Sequence, residues 1–284
     1  MITVVMTIYD RQEYYKEALD SLANQTKQDF ELLIYTNIPV KYDLKKFRDV
    51  EIIEDVPQAL GLRYGNCIRR AKNDKIAFLD DDDTFSPDKI EYLDSINFQY
   101  FHNDYNHLTE GNHNPGKGFN MSCIAIDRRY FPHLADELEK NIELSRVADS
   151  FIYWYTLENQ IGTTFSDKKL SNYRFRDYTR QQLRMVKFME SQIAFLRNAD
   201  KYFTSKTVKD IIRARRISNT ILLNSYNGIY EKVTLKDIMW LLRQSYIEAR
   251  TSKFITYILT LPIWRNTGLK VIYKFRSRKT GGPT

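Results

Sequence analysis

Four carboxylates in a row, Asp80-Asp81-Asp82-Asp83, stand directly behind the apolar run Ile76-Ala77-Phe78-Leu79, and Thr84-Phe85-Ser86-Pro87 follows. The apolar run reads as a buried strand and Pro87 as the opening of a helix, so the acids sit where a strand leaves the core. Adjacent anions repel, and burial disfavours each charge further. The arrangement calls for a cation, and a hard divalent ion with oxygen ligands is the economical one. A solvated acidic turn capping the next helix is the plainer alternative. The strand-then-acids layout favours the metal site. A second carboxylate, Asp149, opens the aromatic stretch Ser150-Phe151-Ile152-Tyr153-Trp154. Taken by itself it reads as a helix N-terminal acid favoured by the dipole.

The elements that must position these groups alternate along the first half of the chain. A first strand runs to about Ile8, and Asp10 with Glu13 three residues later has the capping-box spacing of a following helix. Tyr15, Ala18, Leu19, Leu22 and Ala23 fall on one face of that helix. Phe30 to Tyr35 and Val50 to Ile53 read as further strands, and Pro57 as the start of a helix with the stripe Leu60, Tyr64, Cys67, Ile68 and Ala71. Short apolar strands separated by amphipathic helices, with no hairpin turn between them, predict a mostly parallel α/β sheet covered on both faces. Ligands of such sheets bind at the carboxyl ends of the strands. Thr7, Tyr9 and Asp10, then Thr36 and Asn37, then Asp55, and finally Asp80 to Asp83 therefore share one rim. Nothing resembles G-x-G-x-x-G or the Walker pattern, which argues against a dinucleotide dehydrogenase or a P-loop NTPase.

Further on, Ile96 to Phe101 and Phe119 to Ile126 resemble strands, with a polar loop from Asn103 to Gly118 between them. His102, His107 and His113 have no ligand-like arrangement and read as solvated loop histidines. Cys67 and Cys123 lie in apolar settings without metal spacing, as buried thiols of a reducing compartment do. The first eight residues lack a basic region and a cleavage site, so they read as a strand and not as a signal peptide, and the expected location is the cytoplasm.

The formal net charge is +7, and it is unevenly placed. From Thr234 to Thr284 there are ten Lys or Arg against Asp237 and Glu248, which leaves the rest of the chain close to neutral. No helix-turn-helix, RNA-recognition or zinc-finger pattern appears, and a nucleic-acid partner is not expected. The last hundred or so residues read as helical, with Gln182 to Phe203 and Val208 to Tyr226 as two helices. Phe254 to Trp264 is too short an apolar run to span a bilayer. Its flanking cations suit a helix lying on an anionic membrane surface, so residues 234–284 are the membrane-associating segment. Core packing of that run, or a homodimer seam, is the alternative.

Thr7-Ile8-Tyr9-Asp10, Ser21-Leu22-Ala23-Asn24-Gln25-Thr26, Phe30 to Ile34, Asn66-Cys67-Ile68-Arg69-Arg70-Ala71, and Ile76 to Asp83 with Pro87 together resemble the nucleotide-sugar-binding half of family 2 glycosyltransferases. The resemblance is continuous over about the first ninety residues and returns in pieces to about Thr179. It implies a GT-A fold, Rossmann-like, with a catalytic domain over 1–180, in which residues 1–95 bind the nucleotide-sugar and residues 96–180 serve the acceptor, and a helical, basic C-terminal extension over 181–284. It further implies that Asp80 and Asp82 are the D-x-D carboxylates that hold Mg2+ or Mn2+ against the donor diphosphate, with Asp81 and Asp83 replacing or supporting them. Thr7, Tyr9 and Asp10 match the motif along the nucleoside.

The family usually carries Asp-Asp-x-Ser after the second strand, whereas this chain reads Tyr35-Thr36-Asn37-Ile38, so Asn37 would meet the base and uridine is the default. Asp149 takes the place of the general base, with Ala148 where the family has Glu. Asn172-Tyr173-Arg174-Phe175-Arg176 resembles the closing Tyr-Arg segment. Arg174 and Arg176 alternate on an extended piece and face the same way, suited to the diphosphate or the acceptor; an ion pair with Asp177 is the duller option. The implied activity is inverting, metal-assisted transfer of a sugar from a nucleotide-diphosphate donor to a hydroxyl of a glycan or lipid-linked glycan, peripherally at the inner face of the cell membrane. Three alternatives stand beside it: a catalytically inert GT-A scaffold, a sugar-phosphate nucleotidyltransferase, which should show a Gly-rich loop after strand one, and a phosphodiester nuclease, for which there is no polyanion track.

Overall fold

Ile2–Ile8 forms strand β1 with every residue buried, as befits a strand flanked on both sides and covered on both faces. The structure, a computed structural model, describes residues 1–8, 13–54, 59–108, 120–140, 147–174, 190, 192–199, 202–227 and 233–247. Strand β2 (Phe30–Thr36) and strand β4 (Lys75–Asp80) lie parallel to β1 on either side, and β3 (Asp49–Glu54) is parallel to β2 at the edge. The short β5 (Thr84–Phe85), then β6 (Tyr100–His107), β7 (Ile124–Asp127) and β8 (Thr163–Tyr173) complete one eight-stranded sheet in the order β3-β2-β1-β4-β7-β6-β8-β5.

The fold is α/β, as expected. The parallel arrangement holds for the first four strands, but β7 runs antiparallel to both β4 and β6, and β5 is antiparallel to β8. A second correction concerns β6. It extends through Asn103 to His107, residues expected in a loop, because β8 pairs along it as far as Tyr173 and supplies backbone partners on that edge, while β7 pairs only with Tyr100 to His102. His102 is accordingly buried on that strand beside Phe165, with ring centroids 5.9 Å apart, and is no solvated loop residue.

One face of the sheet is covered by α1 (Tyr15–Ala23) and α3 (Lys89–Ser95). Tyr15, Ala18, Leu19 and Leu22 of α1 and Ile90 and Leu93 of α3 pack on Val4, Met6, Ile8, Leu32, Ile34, Ala77 and Leu79, the alternate residues of three strands. Helix α1 starts at Tyr15 with Tyr14 as its N-cap and no side-chain cap, so the capping box expected four residues earlier does not open this helix. Lys75 satisfies the far end of α3, its Nζ donating to the carbonyls of Leu93, Asp94 and Ile96 at 3.2, 3.2 and 2.7 Å.

On the other face, Tyr64 of α2 (Leu60–Arg70) meets Phe78 of β4 edge-on at 5.5 Å. Helix α2 also packs tightly on α4 (Leu134–Lys140): a Cβ on Gly65 would fall 2.7 Å from the Ala135 carbonyl. The aromatic helix α5 (Ala148–Glu158) follows.

The chain divides into two units, the sheet unit ending at about Arg176 and a second, helical unit after it. In the second unit, helices span Lys206–Asn227 and Leu235–Ile247. Thr234 and Asp237 cap the latter reciprocally, and Arg213 joins the two helices through Asp237 at 3.0 Å and the Trp240 ring at 4.5 Å. Among the described residues no helix is long and apolar enough to cross a membrane. Phe254 to Trp264 lies outside them.

Candidate active site

The parallel registers bring the strand ends together. Thr7 of β1 pairs with Tyr35 on one side and with Asp80 on the other, while Ile8 meets Thr36 and Thr36 meets Glu54. The rim inferred from the strand order is thereby formed by residues up to 73 positions apart in the chain. Tyr9, Asp10, Asp55 and Arg176 lie outside the described residues. Thr7, Asn37, Asp80 to Asp83, Asp149 and Arg174 are placed.

After β2 the Thr36 hydroxyl donates to the Ile38 carbonyl at 2.8 Å and accepts the Ile38 N–H at 3.1 Å, which turns the chain sharply at Asn37. The Asn37 carbonyl oxygen is buried there and has no hydrogen-bond partner among the described residues. A buried acceptor without a donor is costly, and a bound donor relieves that cost.

The four aspartates divide into two kinds. Asp80 and Asp82 are half-buried, whereas Asp81 and Asp83 are buried. Asp83 turns inward. Its Oδ1 accepts the Arg174 N–H at 2.9 Å and its Oδ2 accepts the Asn120 amide at 3.2 Å. Burial, and next the Asp82 charge, push its carboxyl up to about 6, against the opposing effect of the Arg174, Ser122 and Asn120 hydrogen bonds. The resemblance gives Asp83 a place replacing or supporting Asp80 and Asp82; here its oxygens hold the turn to the fold.

A buried lysine lies within electrostatic reach of Asp83. Lys89, the first residue of α3, is wholly buried, with Nζ donating to the Ser122 carbonyl at 2.6 Å and the Ser171 hydroxyl at 2.9 Å, over the Phe85 ring at 3.9 Å. Burial lowers its pKa to about 7, and the Cys123 and Asp83 charges work against that fall. Ser122 is the hub. Its hydroxyl receives the Asp80 N–H at 3.0 Å and hydrogen-bonds Asp83, and its carbonyl also receives the Ser171 hydroxyl at 2.6 Å. Asn103 completes the set by donating to Ser171 at 3.0 Å. These residues carry no sequence signal, because each matters only through partners tens of residues away.

Arg174 clamps the turn from outside. Its Nε donates to the Asp82 carbonyl at 3.0 Å, its guanidinium pairs with Glu17 of α1, and it lies over the Tyr14 ring at 4.4 Å. Asp177, the partner considered from sequence, lies outside the described residues. Arg174 thus positions the acidic turn, in addition to the anion-binding role expected of it.

Thr7 and Asp80 meet at one hydroxyl, which also feels the Asp149 charge. Tyr64, buried in α2, donates to Asp80 Oδ1 at 3.1 Å, and the Thr7 side chain hydrogen-bonds the same phenol oxygen. The Tyr64 phenol is pushed well up, first by burial and next by Asp80, with Asp149 contributing through its charge. Asp149 itself sits half-buried in the first turn of α5, its Oδ1 accepting the Ser150 N–H at 2.6 Å. Tyr100 on β6, likewise raised by burial, also feels the Asp149 charge. Helical spacing assigns Tyr64 to a core stripe, a placement its ring supports and its hydroxyl exceeds. Arg63 beside it is buried with its guanidinium 5.8 Å from the Tyr35 ring centre, a second residue that no sequence pattern singles out.

Among the described residues no three His, Cys, Asp or Glu side chains converge into a ready cage for a metal. Asp80 and Asp82, half-buried at a strand end, fit a smaller demand. They suit an ion of the Mg2+ or Mn2+ kind, which takes one or two carboxylates and fills its shell with phosphate oxygens and water.

Comparison with known proteins agrees with this layout. Residues 3–94 match the model of glycosyl transferase family 2. An uncharacterized glycosyltransferase of Rickettsia felis is 28% identical over 119 residues, 38% of this chain and 20% of that protein. The putative glycosyltransferase EpsH of Bacillus subtilis is 28% identical over 100 residues, 32% of this chain and 29% of that one. The chain thus spans less than a third of the length of these curated relatives. Among solved structures, Staphylococcus aureus TarS 1-349 in complex with UDP-GlcNAc aligns with a TM-score of 0.56 at 15% identity, over 98% of this chain and 92% of that one. A longer TarS structure gives 0.57 at 16% identity, over 97% and 54%. A likeness at that identity speaks for the fold alone, GT-A. The segment from Thr3 to Asp94, about a third of the chain, matches glycosyl transferase family 2.

Proposed function

We propose that the protein transfers a sugar from a nucleotide-diphosphate donor, UDP-linked by default, to a hydroxyl acceptor, with inversion. The observation that carries the reading is the meeting of Thr7 and Asp80 at the Tyr64 hydroxyl on the carboxyl rim of a parallel sheet, with the Asp149 charge felt at that hydroxyl. Strand-end residues there can line a nucleotide, and a carboxylate from another helix stands within electrostatic reach. The UDP-GlcNAc and UDP complexes of TarS support the choice of donor.

Each residue then has a task. The orphaned Asn37 oxygen accepts from an N–H of the base, which relieves an unpaired buried acceptor. Thr7 lines the nucleoside side of the rim. Asp80 and Asp82 would hold Mg2+ or Mn2+, which supplies charge neutralisation for the departing diphosphate. Asp149 accepts the proton of the acceptor hydroxyl while that oxygen attacks the anomeric carbon opposite the leaving group. Arg174 and the Lys89–Ser122 network keep the acidic turn in place. The acceptor is a glycan or a lipid-linked glycan, and residues 234–284 bring the enzyme to an anionic membrane surface.

A thermal-shift panel tests the donor site, because a ligand that binds only the folded chain raises its stability in proportion to affinity. UDP with Mn2+ should raise the melting temperature of the native chain more than UDP alone, and Asp82→Ala should remove that difference. Equal responses to UDP, GDP and CMP, or none to any, would refute the assignment. Liposome flotation of the full chain against a version ending before Thr234 tests the membrane association; unchanged flotation would refute it.

A further inference from the structure

Next to Asp149 lies an aromatic patch that the donor site does not use. Asp149 and Tyr153 are four residues apart on α5 and so share one face of that helix. The half-buried Tyr153 ring meets Tyr100 of β6 at 5.8 Å and Phe165 of β8 edge-on at 6.2 Å. Phe165 stands opposite His102 in the register, and Tyr100 at 6.4 Å and His102 at 5.9 Å brace its ring. Held by three rings, Phe165 is nonetheless 56% exposed. Tyr100 is wholly buried, and its hydroxyl has no hydrogen-bond partner among the described residues. Burial first, then the Asp149 charge and Tyr153, push that phenol up, which places the orphaned oxygen on the Asp149 side of the patch. A buried hydroxyl without a partner is costly, and a bound hydroxyl that pairs with it relieves the cost.

We propose that Phe165, Tyr153 and Tyr100 form a subsite for a sugar ring of the acceptor, with one face of the ring on Phe165 and a ring hydroxyl paired with the Tyr100 hydroxyl beside Asp149. A pyranose has a face of C–H groups and a rim of hydroxyls. The negative face of an aromatic ring attracts the first, and a single placed polar group fixes the second. One exposed ring among the hydroxyl residues Thr163, Thr164 and Ser166 is too small an apolar patch for a membrane or a protein interface. The proposal rests on the transferase reading and deepens it, since it names what the acceptor side binds.

The test is saturation-transfer NMR on the full chain with UDP and Mg2+, using the methyl glycosides of glucose, galactose and N-acetylglucosamine as probes. UDP binding by calorimetry serves as the check that each variant is folded. At least one glycoside should receive saturation through its ring C–H protons. Phe165→Ala should weaken that glycoside about three- to tenfold, the scale of one aromatic contact, and Phe165→Trp should retain it. Tyr100→Phe should weaken it by about the same factor; a hydroxyl that is merely buried and unpaired would instead leave binding unchanged and raise stability on removal. If no glycoside is saturated while UDP binds, or if Phe165→Ala or Tyr100→Phe leaves the affinity unchanged, the subsite is overturned and the donor reading stands. A chain that binds no UDP would overturn the transferase reading and the subsite together.

Discussion

Replacing Asp83 by Asn should abolish a pH dependence of stability that the structure builds in. The Asp83 carboxyl is buried and raised to about 6 from an ordinary 3.8. It therefore holds its proton more tightly in the folded chain than in the unfolded one. Below the unfolded value both states are protonated, and above the folded value both are ionised; in between the unfolded chain has already lost the proton the folded one keeps. Stability should fall as pH rises from about 4 to about 6 and then level off. A shift of about two units at about 1.4 kcal/mol each sets the size of the fall near 3 kcal/mol, as an order of magnitude. Carboxyls held low by ion pairs, such as Asp94 at about 2 beside Lys27 and the N-terminus, act on the far side of that window. Urea unfolding of the native chain and of Asp83→Asn, followed by tryptophan fluorescence across that pH range, measures the difference. Asn alters the hydrogen bonds to Arg174 and Asn120, which adds an offset constant with pH and leaves the slope intact. A variant with the same slope as the native chain would refute the placement of Asp83 as a buried, inward-facing acid.

Lys89 should act with the opposite sign and in another range. Its pKa falls to about 7 in the folded chain, so the unfolded chain binds the extra proton above that, and stability rises with pH between about 7 and 10. Lys89→Met should flatten that rise, as read from the same unfolding curves at alkaline pH. Gly65→Ala forces a methyl to within 2.7 Å of the Ala135 carbonyl and should cost about 1–3 kcal/mol by pushing α2 from α4, measured by urea midpoint. Asp149→Asn should lower kcat by about 10²–10⁴-fold while leaving UDP affinity unchanged by calorimetry; an equal loss of binding would assign it to the donor site.

Much of this protein is written locally. The strands β1, β2 and β4 are short apolar runs bounded by polar turns, and the α1 stripe recurs at helical spacing, so period alone located them. The rim followed from strand direction, and the four acids announced themselves because such a run is rare behind an apolar strand. Tertiary contacts decided the rest. Which aspartates face inward depends on Arg174, 91 positions from Asp83, and on Asn120. The internal cation, Lys89, looks in sequence like any surface lysine at a helix start, and only Ser171, 82 positions on, and the Ser122 carbonyl make it a core residue. Tyr64 has the spacing of a core residue and the partner of a site residue. Strand β6 continues through a polar stretch because β8 pairs with it along that length. Propensity and periodicity are sums over neighbours in the chain, and they find elements; the charge, depth and partner of a side chain are set by neighbours in space, which no window along the sequence contains.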